Sequence, residues 1–375
     1  MQVTLVCNEY PPARHAGIGT FVQGLARGLH QSGHRITVVG LGDTYHEADD
    51  EGIEVITLPG ARVPWAGNLL SRLALRRWLS ARVRAGKVDI IETPDTTGLM
   101  PLGISGCPVV VRLHLTYSAV SLLINHARPR GLFLYERHTL AANSNWIGVS
   151  QYVMQLTHSI FHLAPQRARI IYNFLPATPP GQPEMPDLPS DFILYAGLVC
   201  HRKGAPLLAE AVRDILKRSP ELHLVYVGGM FNHEGKPVSE IIREILGPQL
   251  RNRVHFLGHL GRDATLACMK RAKLLAFPSK LESFGLVVIE AMSCGIPVVY
   301  TKDPPGPEII DDGITGLLAD PHSAEDFRAK IETLLENPDL CSRLGRNAQR
   351  TVATRFSLTE CVSSTENFYR ECLSK

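Results

Sequence analysis

Residues 174–190, FLPATPPGQPEMPDLPS, hold six prolines. Each pyrrolidine ring fixes φ and removes an amide donor, so the run resists helix and sheet and reads as an extended linker over residues 176–189. The same texture lies on both sides of it: a short apolar strand, then a helical stretch. Before the linker the strands are Gln2 to Cys7, Arg35 to Val39, Val88 to Glu92 and Val109 to Leu113, with a helix from Thr20 to Gln31 that stops at Gly33. After it come Phe192 to Ala196, Leu222 to Val227, Val254 to Leu257, Lys273 to Phe277 and Pro297 to Tyr300. Alternation of this kind builds parallel sheets covered by helices on both faces. The expectation is an α/β chain of two Rossmann-like, doubly wound domains, 1–175 and 190–357. Ligands of such sheets bind beyond the carboxyl ends of the strands, so a cleft between the halves is the expected site.

Composition narrows the function classes. The 375 residues are 45% hydrophobic, enough for two cores. A formal net charge of +3 is too small to imply a nucleic-acid partner. The eight cysteines show no CxxC pair and no metal-ligand spacing, so free thiols in a reducing cytoplasm are expected. No signal peptide is expected ahead of the strand at Gln2, and no apolar run is long enough to span a bilayer.

The segment PSKLESFGLVVIEAMSCGIPVVYT, residues 278–301, carries the most chemistry. Between two buried strands, Phe284 to Cys294 is apolar and helix-forming and ends at Gly295, the residue expected just past a helix C-terminus. Glu290 is its only charge. An unpartnered buried carboxylate is costly, so Glu290 needs a polar partner, and its own helix offers none. Glu282 sits in the loop before the helix. With Ser283 between them, the amides of Phe284, Gly285 and Leu286 read as the open donors of a helix start, a natural seat for phosphate. A plain crossover helix with Glu290 in a structural hydrogen bond is the alternative.

Three other loops follow strands. YAGLVCHRKGAP places Arg202 and Lys203 before a helix near Pro206; beside a phosphate-binding helix start, Lys203 becomes a diphosphate ligand rather than a solvated charge. RVHFLGHL ends a strand near Gly258, and the backbone up to Leu260 can receive a base edge. In the first half EYPPARHAGIGT puts Gly17, Ile18 and Gly19 ahead of a helix, but the loop is too long and the third glycine misplaced for a dinucleotide fingerprint. A glycine pair facing a ligand's phosphates fits better than NAD. His114 ends the strand VVVRLH, where a lone histidine is more often structural.

Glu282 and Glu290 around Ser283-Phe284-Gly285, the Lys203-Gly204 loop, Gly17-Ile18-Gly19, PGPEIIDDGITGLL at 305–318 and Asn173 in IIYNF together resemble retaining family 4 glycosyltransferases of the GT-B fold. The resemblance implies a nucleotide sugar in the cleft and a last helix, about Leu358 to Lys375, crossing back to the first domain. It makes Glu290 the ribose-binding carboxylate and Glu282 the holder of the donor sugar's hydroxyls. The amides of Phe284 to Leu286 and the Lys203 ammonium would stabilise the departing diphosphate without a metal or other cofactor. His114 matches a histidine near the reacting sugar. One position departs: the family usually has arginine after the glycine that ends the first strand of the second domain, and here Gly197 precedes Leu198, so Arg202 is the candidate for the missing charge. UDP-glucose or UDP-N-acetylglucosamine is the favoured donor and a glycan, lipid-linked or small-molecule acceptor the partner, on family frequency. A sugar-nucleotide epimerase and a non-catalytic nucleotide-sugar binding protein stay open. A glycoside hydrolase would leave the phosphate-type helix start and Lys203 unexplained.

The acceptor side has one further pattern. Residues 62–87 carry Arg62, Arg72, Arg76, Arg77, Arg82, Arg84 and Lys87 among Trp65, Leu69, Leu70, Leu73, Trp78, Leu79 and Val83, with no Asp or Glu. Leu69, Leu73, Leu79 and Val83 can share a helix face with arginines at its border, expected to meet an anionic inner membrane surface; the alternative is a core helix with solvated arginines.

Overall fold

Period-two alternation along the strands of the first half divides their side chains between two cores. In the computed structural model, which describes residues 1–11, 17–61, 63, 67–100, 102–124, 130–176 and 186–374, the chain divides into two units, Met1–Pro176 with Leu358–Lys375, and Ala177–Ser357.

The first unit holds β1 (Gln2–Val6), β2 (Arg35–Gly42), β3 (His46–Asp50), β4 (Ile53–Pro59), β5 (Ile90–Pro94), β6 (Val109–Leu113), β7 (Asn145–Gly148) and β8 (Arg167–Ile170). Their order is β3-β4-β2-β1-β5-β6-β7-β8, parallel except for the antiparallel pair β3 and β4. Val3 and Leu5 point to a core shared with helix Gly17–Gln31 and the terminal helix Leu358–Leu373, while Val6 points to the opposite core with Leu75 and Leu79. The glycines at 17 and 19 lie in the first turn of a helix expected to start at Thr20.

The same alternation puts Glu92 of β5 and Arg112 of β6 on the face that meets the terminal helix. The Arg112 guanidinium donates to Glu92 at 2.7 and 3.0 Å and to Thr365 Oγ1 at 3.1 Å, and the Tyr369 hydroxyl donates to Glu92 at 2.7 Å. Arg112 is 1% exposed and Glu92 5%, so neither charge has water to fall back on. The terminal helix thus supplies polar partners as well as apolar cover through Cys361, Val362 and Phe368.

The basic segment departs from expectation. Arg62 and Trp65 lie outside the described residues. In helix Gly67–Arg84 the inward residues are Ser71, Arg72, Leu75 and Leu79, whereas Leu69 is exposed. Arg72 is no surface cation. It donates to the carbonyls of Gly98, Asn68 and Thr97 and lies over the Tyr135 ring, because a guanidinium has five donors and the turn at 97–98 has carbonyls to satisfy. Arg76 donates to the Gly103 carbonyl, and Arg82 pairs with Glu54 at 2.6 Å.

The second unit holds β9 (Asp191–Ala196), β10 (Leu222–Val227), the two-residue strands β11 (Asn232–His233) and β12 (Lys236–Pro237), β13 (Val254–Phe256), β14 (Leu274–Phe277), β15 (Val298–Thr301) and β16 (Leu317–Ala319). Its main sheet is wholly parallel, in the order β13-β10-β9-β14-β15-β16. Central strands such as β9, buried from Phe192 to Ala196, are apolar on both faces, which is why they read as continuous runs.

Breaking the buried pair tests the role of the terminal helix. Glu92→Ala leaves Arg112 buried and unpaired and is expected to cost about 3–5 kcal/mol in urea unfolding, whereas replacing both by apolar residues of similar volume costs far less. Equal losses in the two variants would contradict this account of the pair.

Candidate functional site

The carboxyl ends of β9 and β14 carry two loops pressed against each other. Gly204 has φ +73°, and a Cβ on it would stand 1.9 Å from the Pro278 carbonyl oxygen, so only glycine permits this approach. The backbone seals it: Lys280 N–H donates to the Arg202 carbonyl at 3.0 Å, and an Arg202 Nη donates to the Leu281 carbonyl at 3.4 Å. Arg202 thus joins the two loops through its carbonyl and one guanidinium nitrogen. Leu198, where the family pattern has arginine, is exposed.

The approach brings two of the expected residues into contact. Lys203 Nζ donates to Glu282 Oε1, with the two side chains only 15% and 9% exposed. The ammonium also lies 5.8 Å from the Phe277 ring centroid. A cation and an anion pinned together at a strand end form a site in which a phosphate can compete for the cation and a hydroxyl for the anion.

The following helix runs Leu286–Ser293, two residues shorter at its start than the sequence suggests. Gly285 caps it at φ +108°, a conformation only glycine adopts cheaply, and its absent side chain leaves room for the Tyr300 hydroxyl, which a Cβ would meet at 2.7 Å. Phe284 is buried and packs edge-on against Phe356, so its apolar character serves the loop rather than a helical turn. Ser283 is half-buried in that loop. The donors of the helix start are thus the amides just after Gly285, with Leu286 the first helical residue.

Glu290 has a protein partner that the sequence did not reveal. Arg262, at the start of helix Arg262–Arg271, donates from Nε to Glu290 Oε1 at 2.6 Å. Burial nevertheless raises the Glu290 carboxyl above its ordinary range, the arginine opposing that shift. A pair formed across 28 positions has no periodicity to announce it. Leu260, half-buried, lies in the segment between β13 and this helix, and Gly258 of that segment accepts from Gly228 N–H at 2.7 Å.

The first unit places its expected residues at the ends of its own strands. His114 follows β6, is 9% exposed and packs edge-on against Phe21. Burial, then the neighbouring Arg112, lowers its pKa to about 3, so the imidazole is neutral at physiological pH. Asp95, following β5, accepts the His114 backbone N–H at 2.9 Å. It is fully buried, which lifts its pKa to about 7. Gly17 is exposed, Ile18 half-buried and Gly19 buried. Ile18 lines a cavity of 320 Å³ that also takes in Glu9, Thr97, Leu99, Leu115 and Val120. Asn173 is buried with its Oδ1 unbonded among the described residues. Asp95 and Glu9 were missed because an acidic residue after a strand resembles ordinary loop polarity.

These two sets of strand-end residues belong to a recognisable lineage. Residues 183–351 match the family Glycosyl transferases group 1, and residues 15–178 match Glycosyltransferase Family 4. An uncharacterized glycosyltransferase of Methanocaldococcus jannaschii is 30% identical over 181 residues, about half of each chain (48% and 48%). Glycogen synthase of Mycobacterium tuberculosis is 23% identical over 397 residues, covering 98% of this chain and 94% of its own. Among solved structures, Anabaena HepE in complex with UDP and glucose superposes with a TM-score of 0.72 at 20% identity over 98% of both chains. The chain belongs to the family 4 glycosyltransferases and has the GT-B fold.

Proposed function

We propose that the chain transfers a sugar, with retention of anomeric configuration, from UDP-glucose or UDP-N-acetylglucosamine to a glycan, lipid-linked or small-molecule acceptor in polysaccharide or glycolipid synthesis. The observation that carries the donor side is the Lys203–Glu282 contact at the joined ends of β9 and β14, beside the start of helix Leu286–Ser293. UDP in Anabaena HepE supports the choice of base. Eight unpaired thiols suit a reducing cytoplasm. No helix of the described residues is long and apolar enough to cross a membrane.

In this reading the diphosphate draws Lys203 away from Glu282, and the released carboxylate accepts hydroxyls of the donor sugar. The first-turn amides and the ammonium then meet the charge that grows on the leaving diphosphate, so their help is largest as the glycosidic bond breaks. Glu290 receives the ribose hydroxyls. His114, being neutral, serves the sugar end as a hydrogen-bonding group and not as a cationic acid. Contact of 62–87 with an anionic surface retains, among the described residues, Arg77, Arg84 and Lys87 as exposed cations, since Arg72, Arg76 and Arg82 are engaged within the protein. Epimerisation of the donor alone is the competing chemistry, and it would yield free epimerised sugar nucleotide without acceptor.

Glu290→Ala and Lys203→Ala are each expected to weaken UDP binding about tenfold or more, the worth of a charge-assisted hydrogen bond, with the fold intact. His114→Ala and Glu282→Ala are expected to lower turnover more than they weaken UDP binding. Titration calorimetry beside a transfer assay separates the two; unchanged UDP affinity removes Glu290 or Lys203 from the site, and equal losses in both measures remove His114 or Glu282 from the sugar end.

Asp95 and His114 also set opposite pH dependences of stability. Asp95, raised from 3.8 to about 7, keeps a proton in the folded state that the unfolded chain has lost, so its contribution falls as pH rises through that window. His114, lowered from 6.5 to about 3, refuses a proton that the unfolded chain takes, so its contribution falls as pH drops from 6.5 toward 3. The two nearly offset in the native protein. In urea titrations between pH 4 and 7, Asp95→Asn is expected to become more stable with rising pH and His114→Gln less, each by at least about 1 kcal/mol relative to wild type. Parallel pH profiles for the two variants would refute the assignment.

A further inference from the structure

Helix Tyr117–Leu123 is inside out. It buries Ser118, Ala119 and Ser121 and exposes Tyr117 (52%), Leu122 (36%) and Leu123 (42%), followed by Ile124 (38%). An amphipathic helix normally turns its aliphatic side chains inward, because burying them removes apolar surface from water. Here the start of the helix is tied down through its backbone, while the Ser118 hydroxyl is buried and unbonded among the described residues. Thr116 Oγ1 caps the helix by accepting Ala119 N–H at 3.1 Å, and the Glu136 carboxylate accepts Ser118 N–H at 3.1 Å.

The exposed face does not stand alone. At about 100° per residue, Tyr117, Val120 and Ile124 fall within about 60° of one another, and Leu123 flanks them. Tyr117 and Val120 are walls of the 320 Å³ cavity at the ends of β1 and β5, whose other apolar walls include Ile18, Leu99 and Leu115. The stripe therefore begins inside the cavity and continues along the helix onto open surface. Among the described residues the cavity's lining has one charged side chain, Glu9. Its Oε2 is buried, and no donor of the described residues reaches it. A buried carboxylate oxygen without a partner favours a ligand that brings a hydroxyl and repels one that brings a phosphate.

We propose that the cavity and its stripe seat a glycolipid acceptor held in a bilayer. The uncharged sugar head enters the cavity and donates a hydroxyl to Glu9 Oε2, and the hydrocarbon chain lies along Tyr117, Leu123 and Ile124. The assignment rests on the glycosyltransferase reading above and chooses, among its acceptors, a lipid with an uncharged head. Apolar contact then adds to any attraction of the 62–87 cations for an anionic surface, and it is the part that survives high salt and neutral lipid.

The full chain is mixed in high salt with vesicles of phosphatidylcholine alone or doped with a neutral glucosyl diacylglycerol, and binding is read by cosedimentation. Wild type is expected to sediment with both and to prefer the doped vesicles. The combined change Leu122→Gln, Leu123→Gln and Ile124→Gln, at positions already exposed, is expected to weaken binding to both by about tenfold. Glu9→Gln is expected to abolish the preference for glycolipid while leaving binding to plain vesicles intact. Wild type remaining in the supernatant, the triple variant sedimenting equally well, or Glu9→Gln keeping the preference overturns the proposal. Because no donor is present, these outcomes are independent of UDP titration of the same protein, whose failure would strike the donor reading instead.

Discussion

The close approach of Gly204 to Pro278 is the constraint on which the joined loops of the second unit rest. A side chain at 204 would overlap the Pro278 carbonyl, so the loops after β9 and β14 can meet only because that position is glycine with a positive φ. Once they meet, Lys203 and Glu282, separated by 79 positions, become neighbours, and the Lys280-to-Arg202 backbone bond fixes their register. The parallel sheet does the remaining positioning, since β9 and β14 are adjacent and point the same way. An ion pair held at two strand ends is a preorganised charge, which is the feature the proposed donor site uses.

Both units bury ionisable groups, with different consequences. Glu92 and Arg112 bond each other and also Tyr369 and Thr365, with Arg112 Nη1 left unbonded among the described residues, so that pair organises packing. Glu290 is paired with Arg262, and burial still raises its carboxyl against that arginine. His114 and Asp95 show a third outcome, in which burial keeps the imidazole neutral and lifts the Asp95 carboxyl to about 7 rather than pairing the two as ions.

The core strands were legible because buried parallel strands are apolar on both faces. The edge strand β3, His46–Asp50, was not: its sequence HEADD is polar and exposed, and only pairing with β4 makes it a strand. Apolar residues marked the stretch after Glu282 as buried, but they cannot distinguish Phe284 packed in a loop from a first helical turn. Lys203 and Glu282 were legible as candidates through their strand-end loops. Arg262 and Glu9 were not, since an ion pair between separate helices and an orphaned oxygen are facts of three dimensions. Arg72 went wrong for a related reason. Helical spacing placed it at a polar border, while the carbonyls of Thr97 and Gly98 drew it inside.

A nucleoside-diphosphate-sugar site serving retaining transfer at the joined loops of the second unit would show itself in the anomeric configuration of the product, read by NMR coupling constants after incubation with UDP-glucose, UDP-N-acetylglucosamine and an alkyl glycoside or glycolipid acceptor. A new α-linked sugar is expected from one of these α-configured donors, with UDP released in equal amount. A β-linked product, or loss of donor to an epimer with no UDP released, would contradict retaining transfer.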